Sequence, residues 1–481
     1  MANRRRFLKD ITMAGAAFAA FPHISCTTAP KFKPVRSAPM GQIDETPLKL
    51  AFVGTGLMGG DNMRLFKALG QELTAYCDVD KKYGFNIAKR HVDDKALAFT
   101  DYREMFDKLQ GKVDGVVIST PDHSHFAIAI SALKHGFPIY LEKPMCHNVW
   151  QIRELTRFAA EKGLPTQMGN LVHSGEGLRI TKEWIAGGLI GKVRKVVMWT
   201  CRPLTGVSRP AMGYKQWPSE PVPPHLDWDK WLNVAEYGPY SHEIVPLNWR
   251  RVYKYGTGSL GDIGTHIIDV PMYALGLDYP SKITSRQRGG TEISVPKQDH
   301  VTYYFDKSNQ GVPVELHWYS GFSKKYDSNQ GRFKDYDKSF LPPLPEEFTS
   351  LGKSWKDLST EDGMFIIGDE GVLYAPKMHL IGKPVILPKS RAALANEIAK
   401  TETRIRNGDH RLNFLDAIRG NVPQATSDFS NVAKLTEVVM LGNMSLRANE
   451  DVIWDAKKMT CVGGSAKLNS YINTPMRPGW Y

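Results

Sequence analysis

Two short segments carry side chains that could move a proton and stabilise charge at a reacting alcohol. Lys143 stands in Glu142-Lys143-Pro144, and Asp262 and His266 stand four residues apart. Histidine suits a general base near neutral pH, and a lysine can polarise a forming carbonyl. On a helix the two later residues would share a face, so that the carboxylate could orient the imidazole. Together these residue types favour oxidation of a secondary alcohol.

A glycine-rich turn predicts the site of the hydride acceptor. The apolar run Leu48–Val53 is followed by Gly54-Thr-Gly56-Leu57-Met58-Gly59 and a helical segment. The glycines allow a tight turn, a close approach of the backbone to a pyrophosphate and close packing of helix on strand. The helix N-terminus, at Leu57 and Met58, offers N–H groups to the phosphates. A lone motif of this kind is weak evidence, but here it directly follows a strand.

Asp78 closes the next predicted strand, 22 residues after Gly56. A carboxylate there accepts hydrogen bonds from the adenosine ribose and repels a 2′-phosphate. The sequence therefore predicts NAD as the cofactor and disfavours NADP, although Lys81 and Lys82 nearby could soften that preference.

The elements that must position these residues change character along the chain. The first part alternates helical segments with short apolar strands: Leu48–Val53, Leu73–Cys77, Val113–Ser119 and Phe137–Leu141. This alternation predicts an α/β fold, a Rossmann-type doubly wound parallel sheet, over residues 47–168. Later strands follow one another without helices between them: Lys282–Arg288, His300–Phe305, Val312–Tyr319 and Met364–Tyr374. They predict an α+β domain with a mostly antiparallel open sheet over residues 169–460, followed by a tail at 461–481.

A third segment, Thr120-Pro121-Asp-His-Ser-His125, follows the third predicted strand. Two more segments follow it along the chain, Glu142-Lys143-Pro144 and Gly261-Asp262-Ile-Gly-Thr-His266. The three motifs, in this order, resemble those of the Gfo/Idh/MocA oxidoreductase family, and the resemblance covers about residues 48–460. Residues 167–170 and 227–232 look like the secreted branch of that family, which carries a twin-arginine signal.

The resemblance implies roles for individual residues. Lys143 matches the family lysine that contacts the reacting hydroxyl, and Asp262 and His266 match its acid–histidine pair. The second domain often mediates oligomers in this family, so a homo-oligomer is expected. The residues implied to contact the cofactor are Thr120, Pro121, His125, Glu142, Lys143 and Asn170.

Aromatic rings crowd residues 199–255, interleaved with polar side chains. Such rings suit the faces of sugars, although core packing accounts for most of them. Asn248-Trp249-Arg250 lies just ahead of Asp262 and is favoured for substrate binding, whereas His173 and Glu176 are weaker candidates. A metal bound by Asp262, His266 and Asp269 is an open alternative, but no matching histidine cluster is evident and no metal is predicted.

The N-terminal region predicts export. Arg4-Arg5-Arg6-Phe-Leu-Lys9 precedes an uncharged run ending at Cys26, which is typical of a twin-arginine signal peptide over residues 1–26. A Pro-rich linker follows at 27–46. Lipidation of Cys26, and with it a membrane anchor, is the lesser alternative because His23 departs from a good lipobox. A periplasmic enzyme meets little free nicotinamide cofactor, so the cofactor is expected to travel tightly bound.

Composition excludes several classes of protein. The chain is 42% hydrophobic and 23% charged, which is globular. Its net charge of +12 is dispersed without long basic runs, which argues against a nucleic-acid partner. Five scattered cysteines without a CxxC form no disulfide framework.

The function favoured by these observations is an NAD-dependent oxidoreductase acting on a secondary hydroxyl of a sugar or glycoside. The alternative is a redox-assisted glycosidase, in which transient oxidation acidifies a neighbouring C–H, elimination cleaves the glycosidic bond and the product is re-reduced. A redox-silent carbohydrate-binding protein is the least favoured.

Overall fold

The computed structural model describes residues 42–202, 217–323, 336–358, 360–377 and 382–481. The predicted signal peptide, Cys26 and most of the predicted linker lie outside the described residues. No helix among the described residues is both long enough and apolar enough to cross a bilayer.

Six parallel strands form the sheet of the N-terminal domain, in the order β3-β2-β1-β4-β5-β6. They are β1 Lys49–Val53, β2 Glu72–Cys77, β3 Leu97–Phe99, β4 Gly115–Ile118, β5 Ile139–Leu141 and β6 Thr166–Met168. The helices between them are α1 Leu57–Ala68, α2 Tyr83–Ala88, α3 Tyr102–Leu109, α4 His125–Lys134 and α5 Val149–Lys162. This strand order is that of dinucleotide-binding domains and confirms the predicted doubly wound sheet.

The second domain contains a nine-stranded sheet in the order β13-β12-β11-β7-β10-β9-β8-β14-β15. Its strands are β7 Val193–Thr200, β8 Lys282–Arg288, β9 Gln298–Phe305, β10 Val314–Ser320, β11 Gly363–Gly368, β12 Val372–Ala375, β13 Val385–Leu387, β14 Val452–Asp455 and β15 Thr460–Cys461. Every neighbouring pair is antiparallel except β7 and β10, which confirms the predicted mostly antiparallel sheet.

The second domain also contains seven α-helices among the described residues. They are α6 Glu176–Ala186, α7 Trp228–Leu232, α8 Thr265–Ala274, α9 Glu346–Thr349, α10 His410–Arg419, α11 Phe429–Ala448 and α12 Ala466–Ser470. Of these helices, α8 and α11 contact the nine-stranded sheet. The long helix α11 packs against α5 of the first domain and against α8 and β8 of the second. Because α11 contacts both domains, it fixes α8 beside the parallel sheet.

Two features differ from the sequence prediction. Met364–Tyr374 was expected to be one strand, but it is the hairpin β11–β12, because Asp369 and Glu370 form a turn closed by a Gly368 N–H to Gly371 carbonyl bond of 2.9 Å. Residues 322–360 hold many charged and aromatic residues, a pattern that predicts an insertion, but Phe348 and Leu358 lie in a buried cluster with Trp199 on the outer face of the sheet.

Candidate active site

A cavity of about 920 Å³ lies between the two domains. Its walls include the residues at which parallel strands end or that directly follow them: Val53, Cys77, Ser119, Glu142 and Gly169. Ligands of open α/β sheets bind at this carboxyl edge. The second domain contributes the opposite wall, including Arg250, Asp262 and His266.

The glycine turn forms one end of the cavity. Gly54 has φ +78°, a conformation that favours glycine, and a Cβ on Gly59 would lie 2.0 Å from the Gly54 carbonyl oxygen. Gly56 is the N-cap of α1 and supplies no capping side chain, and Gly56, Leu57 and Met58 line the cavity. The backbone here therefore fits a dinucleotide, since helix N–H groups without a side-chain cap face the cavity where a pyrophosphate would bind.

Asp78 lies beside this turn and lines the cavity. Its carboxylate accepts hydrogen bonds from the Thr55 N–H at 2.8 Å and from the Asp80 N–H at 2.9 Å. Burial raises the pKa of Asp78, and these hydrogen bonds oppose the rise. The backbone thus holds the carboxylate at the place where an adenosine ribose would bind.

Lys143 and Asp262 meet across the cavity. The Lys143 Nζ donates to Oδ1 and to the backbone carbonyl of Asp262, both at 2.6 Å. Arg202 Nη1 donates to Asp262 Oδ2 at 2.7 Å, and Arg250 Nε lies 4.0 Å from Asp262 Oδ1. Burial by itself would raise the pKa of Asp262, but Lys143, Arg250 and Arg202 hold that pKa well below its usual range. Asp262 is therefore an anion that positions the lysine.

The structure shows contacts of Asp262 and His266 with other residues, and the predicted action of the Asp262 carboxylate on the His266 imidazole stays a prediction. Asp262 contacts the cations described above, whereas His266 Nδ1 lies 2.9 Å from the Asn170 Oδ1. A π-helical turn, Leu260–Gly264, contains Asp262 and precedes α8.

The remaining predicted residues divide into two groups. The structure brings some of them to the cavity wall: Thr120, Pro121, Glu142, Trp249 and Arg250. Asn170 is fully buried and contacts the cavity-lining His266, which makes it a positioning residue. Glu142 Oε1 accepts a hydrogen bond of 2.9 Å from the Asn62 side chain, which fixes the Glu142 carboxylate at the cavity wall.

Four other predicted residues lie outside the cavity wall. His125 is fully buried, with its two ring nitrogens 2.9 Å from the carbonyl oxygens of Thr120 and Pro144, so it joins two loops behind the cavity wall. His173 Nδ1 pairs with Asp269 at 3.0 Å, away from the wall. The Asn248 amide donates to the Glu243 carbonyl, and Glu176 pairs with Arg404.

The sequence reasoning missed Asp122 as a functional residue. It is buried, lines the cavity and accepts a hydrogen bond of 2.6 Å from Thr257. Burial raises the pKa of Asp122 to about 6, against the opposing effects of Thr257, Arg250 and Lys143. In the sequence, Asp122 directly follows Pro121 in the segment Thr120–His125, and this position could have indicated that it lies at the cavity.

A strap from the second domain crosses the loop that follows β2. The Lys81 N–H donates to the His225 carbonyl at 2.9 Å, and the Asp227 N–H donates to the Val79 carbonyl at 3.0 Å. His225 Nδ1 also lies 3.0 Å from the Asp80 carboxylate. Residues 223, 225 and 226 line the cavity, so the strap covers its adenosine end.

Trp480, in the segment predicted to be a tail, lines the same end of the cavity and is 6% exposed. Its carbonyl accepts a hydrogen bond from the Tyr102 hydroxyl, and the Arg103 guanidinium lies 4.4 Å from its ring centroid. These contacts attach the segment to α3 of the first domain. Nothing in the sequence pattern near Trp480 indicated that contact.

In the part of the chain that the structure describes, no group of three or more His, Cys, Asp or Glu side chains could hold a metal ion. Fold, glycine turn and oriented Asp78 together define a dinucleotide-binding protein with a lysine and a histidine at the cavity wall.

Family models agree with this class. The NAD-binding Rossmann domain of the Gfo/Idh/MocA oxidoreductases matches residues 48–170, and the C-terminal alpha/beta domain of that family matches residues 177–309. Together the two matches cover just over half of the chain. The chain belongs to the Gfo/Idh/MocA oxidoreductase family, and its first domain is an NAD-binding Rossmann domain.

Three curated relatives resemble parts of the chain. A 2,7-anhydro-N-acetylneuraminate hydratase of Mediterraneibacter gnavus is 30% identical over 144 residues, 30% of this chain and 37% of the relative. An inositol 2-dehydrogenase of Rubrobacter xylanophilus is 29% identical over 31% of this chain and 42% of the relative. A glycosyl hydrolase family 109 protein of Shewanella pealeana is 24% identical over 40% of this chain and 44% of the relative. The chain thus spans less than half the length of these relatives.

Among solved structures, the WlbA dehydrogenase of Bordetella pertussis, in complex with NADH and UDP-GlcNAcA, has a TM-score of 0.57 and 13% sequence identity to this chain. The similarity covers 85% of this chain and 99% of the other. At this identity the similarity shows that the two proteins share a fold.

Proposed function

We propose that this protein is an NAD-dependent oxidoreductase that oxidises a secondary hydroxyl of a sugar or glycoside and keeps its cofactor tightly bound. The observation that carries the proposal is the Lys143 ammonium, held 2.6 Å from Asp262 in the cavity that the glycine turn also lines. The likeness to an inositol 2-dehydrogenase supports a polyhydroxylated substrate.

Lys143 and His266 divide the chemistry on the alcohol. The Lys143 ammonium donates to the alcohol oxygen and stabilises the negative charge that develops as the carbonyl forms. The Asn170 amide oxygen accepts from His266 Nδ1, so neutral His266 carries its lone pair on Nε2 and takes the hydroxyl proton there. NAD, held by the glycine turn and Asp78, would supply the acceptor for the hydride that leaves the carbinol carbon.

Tight retention of the cofactor is supported by the cover over its adenosine end. The strap at residues 223–227 is hydrogen-bonded to the loop after β2, and Trp480 contributes a further wall. Release would require the strap or the segment containing Trp480 to separate from the first domain. A cofactor that stays bound must be restored in place, by a second substrate or by the product of the first step.

A redox-assisted glycosidase is the second candidate, and Asp122 is the observation that favours it. Its buried carboxyl, whose pKa burial raises to about 6, keeps a proton to higher pH than an ordinary aspartate and could protonate a leaving glycosidic oxygen. The likeness to a glycosyl hydrolase family 109 protein points the same way.

The test uses the purified protein without added cofactor. Denaturation should release NAD, identified by its mass. Incubation with a panel of glycosides should yield a keto-sugar and a reduced nicotinamide, visible in absorbance, if the protein is an oxidoreductase. Free aglycone with unoxidised sugar would instead indicate the glycosidase, and binding without either product would contradict both.

We also propose export to the periplasm through the twin-arginine signal predicted at residues 1–26, with assembly as a homo-oligomer. Replacing Arg4, Arg5 and Arg6 by lysine should retain the protein in the cytoplasm, as measured by cell fractionation. Light scattering of the purified protein measures the subunit number.

A further inference from the structure

We propose that the sugar substrate carries an oxyanion, a carboxylate or a sulfate ester, which Arg202 and Arg250 bind at the Asp262 end of the cavity. The inference rests on the proposed oxidoreductase function, because it names the chemical class of the substrate of that same site. The carboxylate and the sulfate present the same chemistry to a guanidinium, and the experiment below distinguishes them.

The first argument is charge balance. Three cations surround the Asp262 carboxylate: Lys143 at 2.6 Å, Arg202 at 2.7 Å and Arg250 at 4.0 Å. One carboxylate leaves two positive charges uncompensated. Asp122, which interacts electrostatically with Arg250 and Lys143, removes at most one of them.

Glu142 also lines the cavity, where the Asn62 side chain donates to its carboxylate at 2.9 Å. The sequence of residues 203–216, which follows Arg202, contains no Asp or Glu. The nicotinamide ring of an oxidised cofactor would add one positive charge, whereas the two negative charges of its diphosphate would lie at the glycine turn. An anionic group on the substrate is therefore electrostatically favoured beside the arginines.

The second argument is hydrogen-bond capacity. A guanidinium has five N–H donors. Among the described residues, Arg202 donates to Asp262, and Arg250 donates to the Leu247 carbonyl at 3.4 Å. These two bonds use two of the ten N–H donors on the two side chains. Both line the cavity, with side chains 25% and 22% exposed, so a ligand in the cavity can reach them.

The third argument is orientation. The Arg250 guanidinium lies 4.2 Å from the Trp249 ring centroid, and Arg202 is held by Asp262. Side chains fixed in this way lose little conformational entropy when they bind a planar or tetrahedral oxyanion through two parallel bonds.

The experiment compares three sugars that share one ring: methyl glucoside, methyl glucuronide and methyl glucoside 6-sulfate. The purified protein with its bound cofactor is titrated with each, and binding is measured by calorimetry while reduction of the bound cofactor is followed by absorbance. We expect an anionic sugar to bind about 10- to 100-fold more tightly than the neutral one, the range for a charge-assisted hydrogen bond. A preference for the carboxylate alone or the sulfate alone supports the proposal and identifies the source of the oxyanion.

Variants locate the effect. Arg202→Gln and Arg250→Gln should each reduce the preference for the anionic sugar at least severalfold. Arg194→Gln is the matched control, because Arg194 is half-exposed, pairs with Asp369 and lies outside the cavity wall. The control should keep the full preference.

Equal binding of the neutral and anionic sugars by the unsubstituted protein would overturn the inference without requiring any variant to fold. If the neutral sugar then reduced the bound cofactor, the oxidoreductase proposal would be supported although the oxyanion inference had failed. If an anionic sugar bound preferentially but no sugar reduced the cofactor, the inference would be supported and the oxidoreductase proposal would fail.

Discussion

Replacing Lys143 by methionine tests the central chemical proposal. Methionine keeps an unbranched side chain of similar length and removes the ammonium. The lysine donates two bonds of 2.6 Å to Asp262 and is 12% exposed, so its charge acts with little screening by water. Loss of a comparable preorganised donor costs about 10²- to 10³-fold in kcat, or about 3–4 kcal/mol of transition-state stabilisation.

Folding should survive this change. An uncompensated buried charge costs about 3–5 kcal/mol, but Asp262 retains Arg202 at 2.7 Å after Lys143 is lost. We therefore expect a loss of about 1–2 kcal/mol in the free energy of unfolding. The glycine turn and Asp78 lie at the other end of the cavity, so the protein should still be purified with its cofactor.

The assay measures turnover of the preferred sugar, the amount of NAD released on denaturation and the thermal unfolding temperature of each variant. Lys182→Met is the matched control, because Lys182 forms a partly buried pair with Glu402 at 3.1 Å and lies outside the cavity wall. The control should retain full turnover. A Lys143→Met protein that retained NAD and turned over within about tenfold of the unsubstituted protein would refute the assignment of this lysine.

Three further predictions concern the cofactor end of the cavity and the buried carboxyl. Asp78→Ala should weaken NAD binding about tenfold and narrow the preference over NADP, measured by calorimetry on cofactor-free protein; an unchanged ratio of the two affinities would contradict the ribose assignment. Trp480→Ala should lower the NAD retained after dialysis, whereas Tyr481→Ala, whose ring packs on Phe126 outside the cavity wall, should not; equal retention in both would remove Trp480 from the site. Asp122 has a raised folded-state pKa of about 6 against an ordinary 3.8, so the folded state binds the proton more tightly and stability falls as pH rises from about 4 to about 6. In Asp122→Asn the free energy of unfolding should fall by up to about 3 kcal/mol less between these pH values, as measured by urea unfolding. If the free energy of unfolding changed with pH equally in both proteins, the pKa of the Asp122 carboxyl would not be raised.

Local sequence patterns sufficed to predict the fold class. Continuous apolar runs separated by helical segments predicted the parallel sheet, and runs without intervening helices predicted the antiparallel one, because strand and helix periodicities are properties of neighbouring residues. The short strands Leu97–Phe99 and Thr166–Met168 were missed because so short a run carries little periodicity, whereas Ile139–Leu141 was predicted because the apolar segment around it is longer. The hairpin at Gly363–Ala375 was missed because its two-residue turn interrupts an otherwise apolar segment.

The sequence by itself determined which residues could bind a dinucleotide and which could transfer a proton, because a glycine turn, an acid after the second strand and a Lys-Pro step are local signals. Tertiary structure decided the partners of those residues. Lys143 and Asp262 are 119 positions apart and meet only because α11 holds α8 against the parallel sheet. The arginine cluster, the strap and Trp480 likewise depend on contacts between distant segments, which no local pattern encodes.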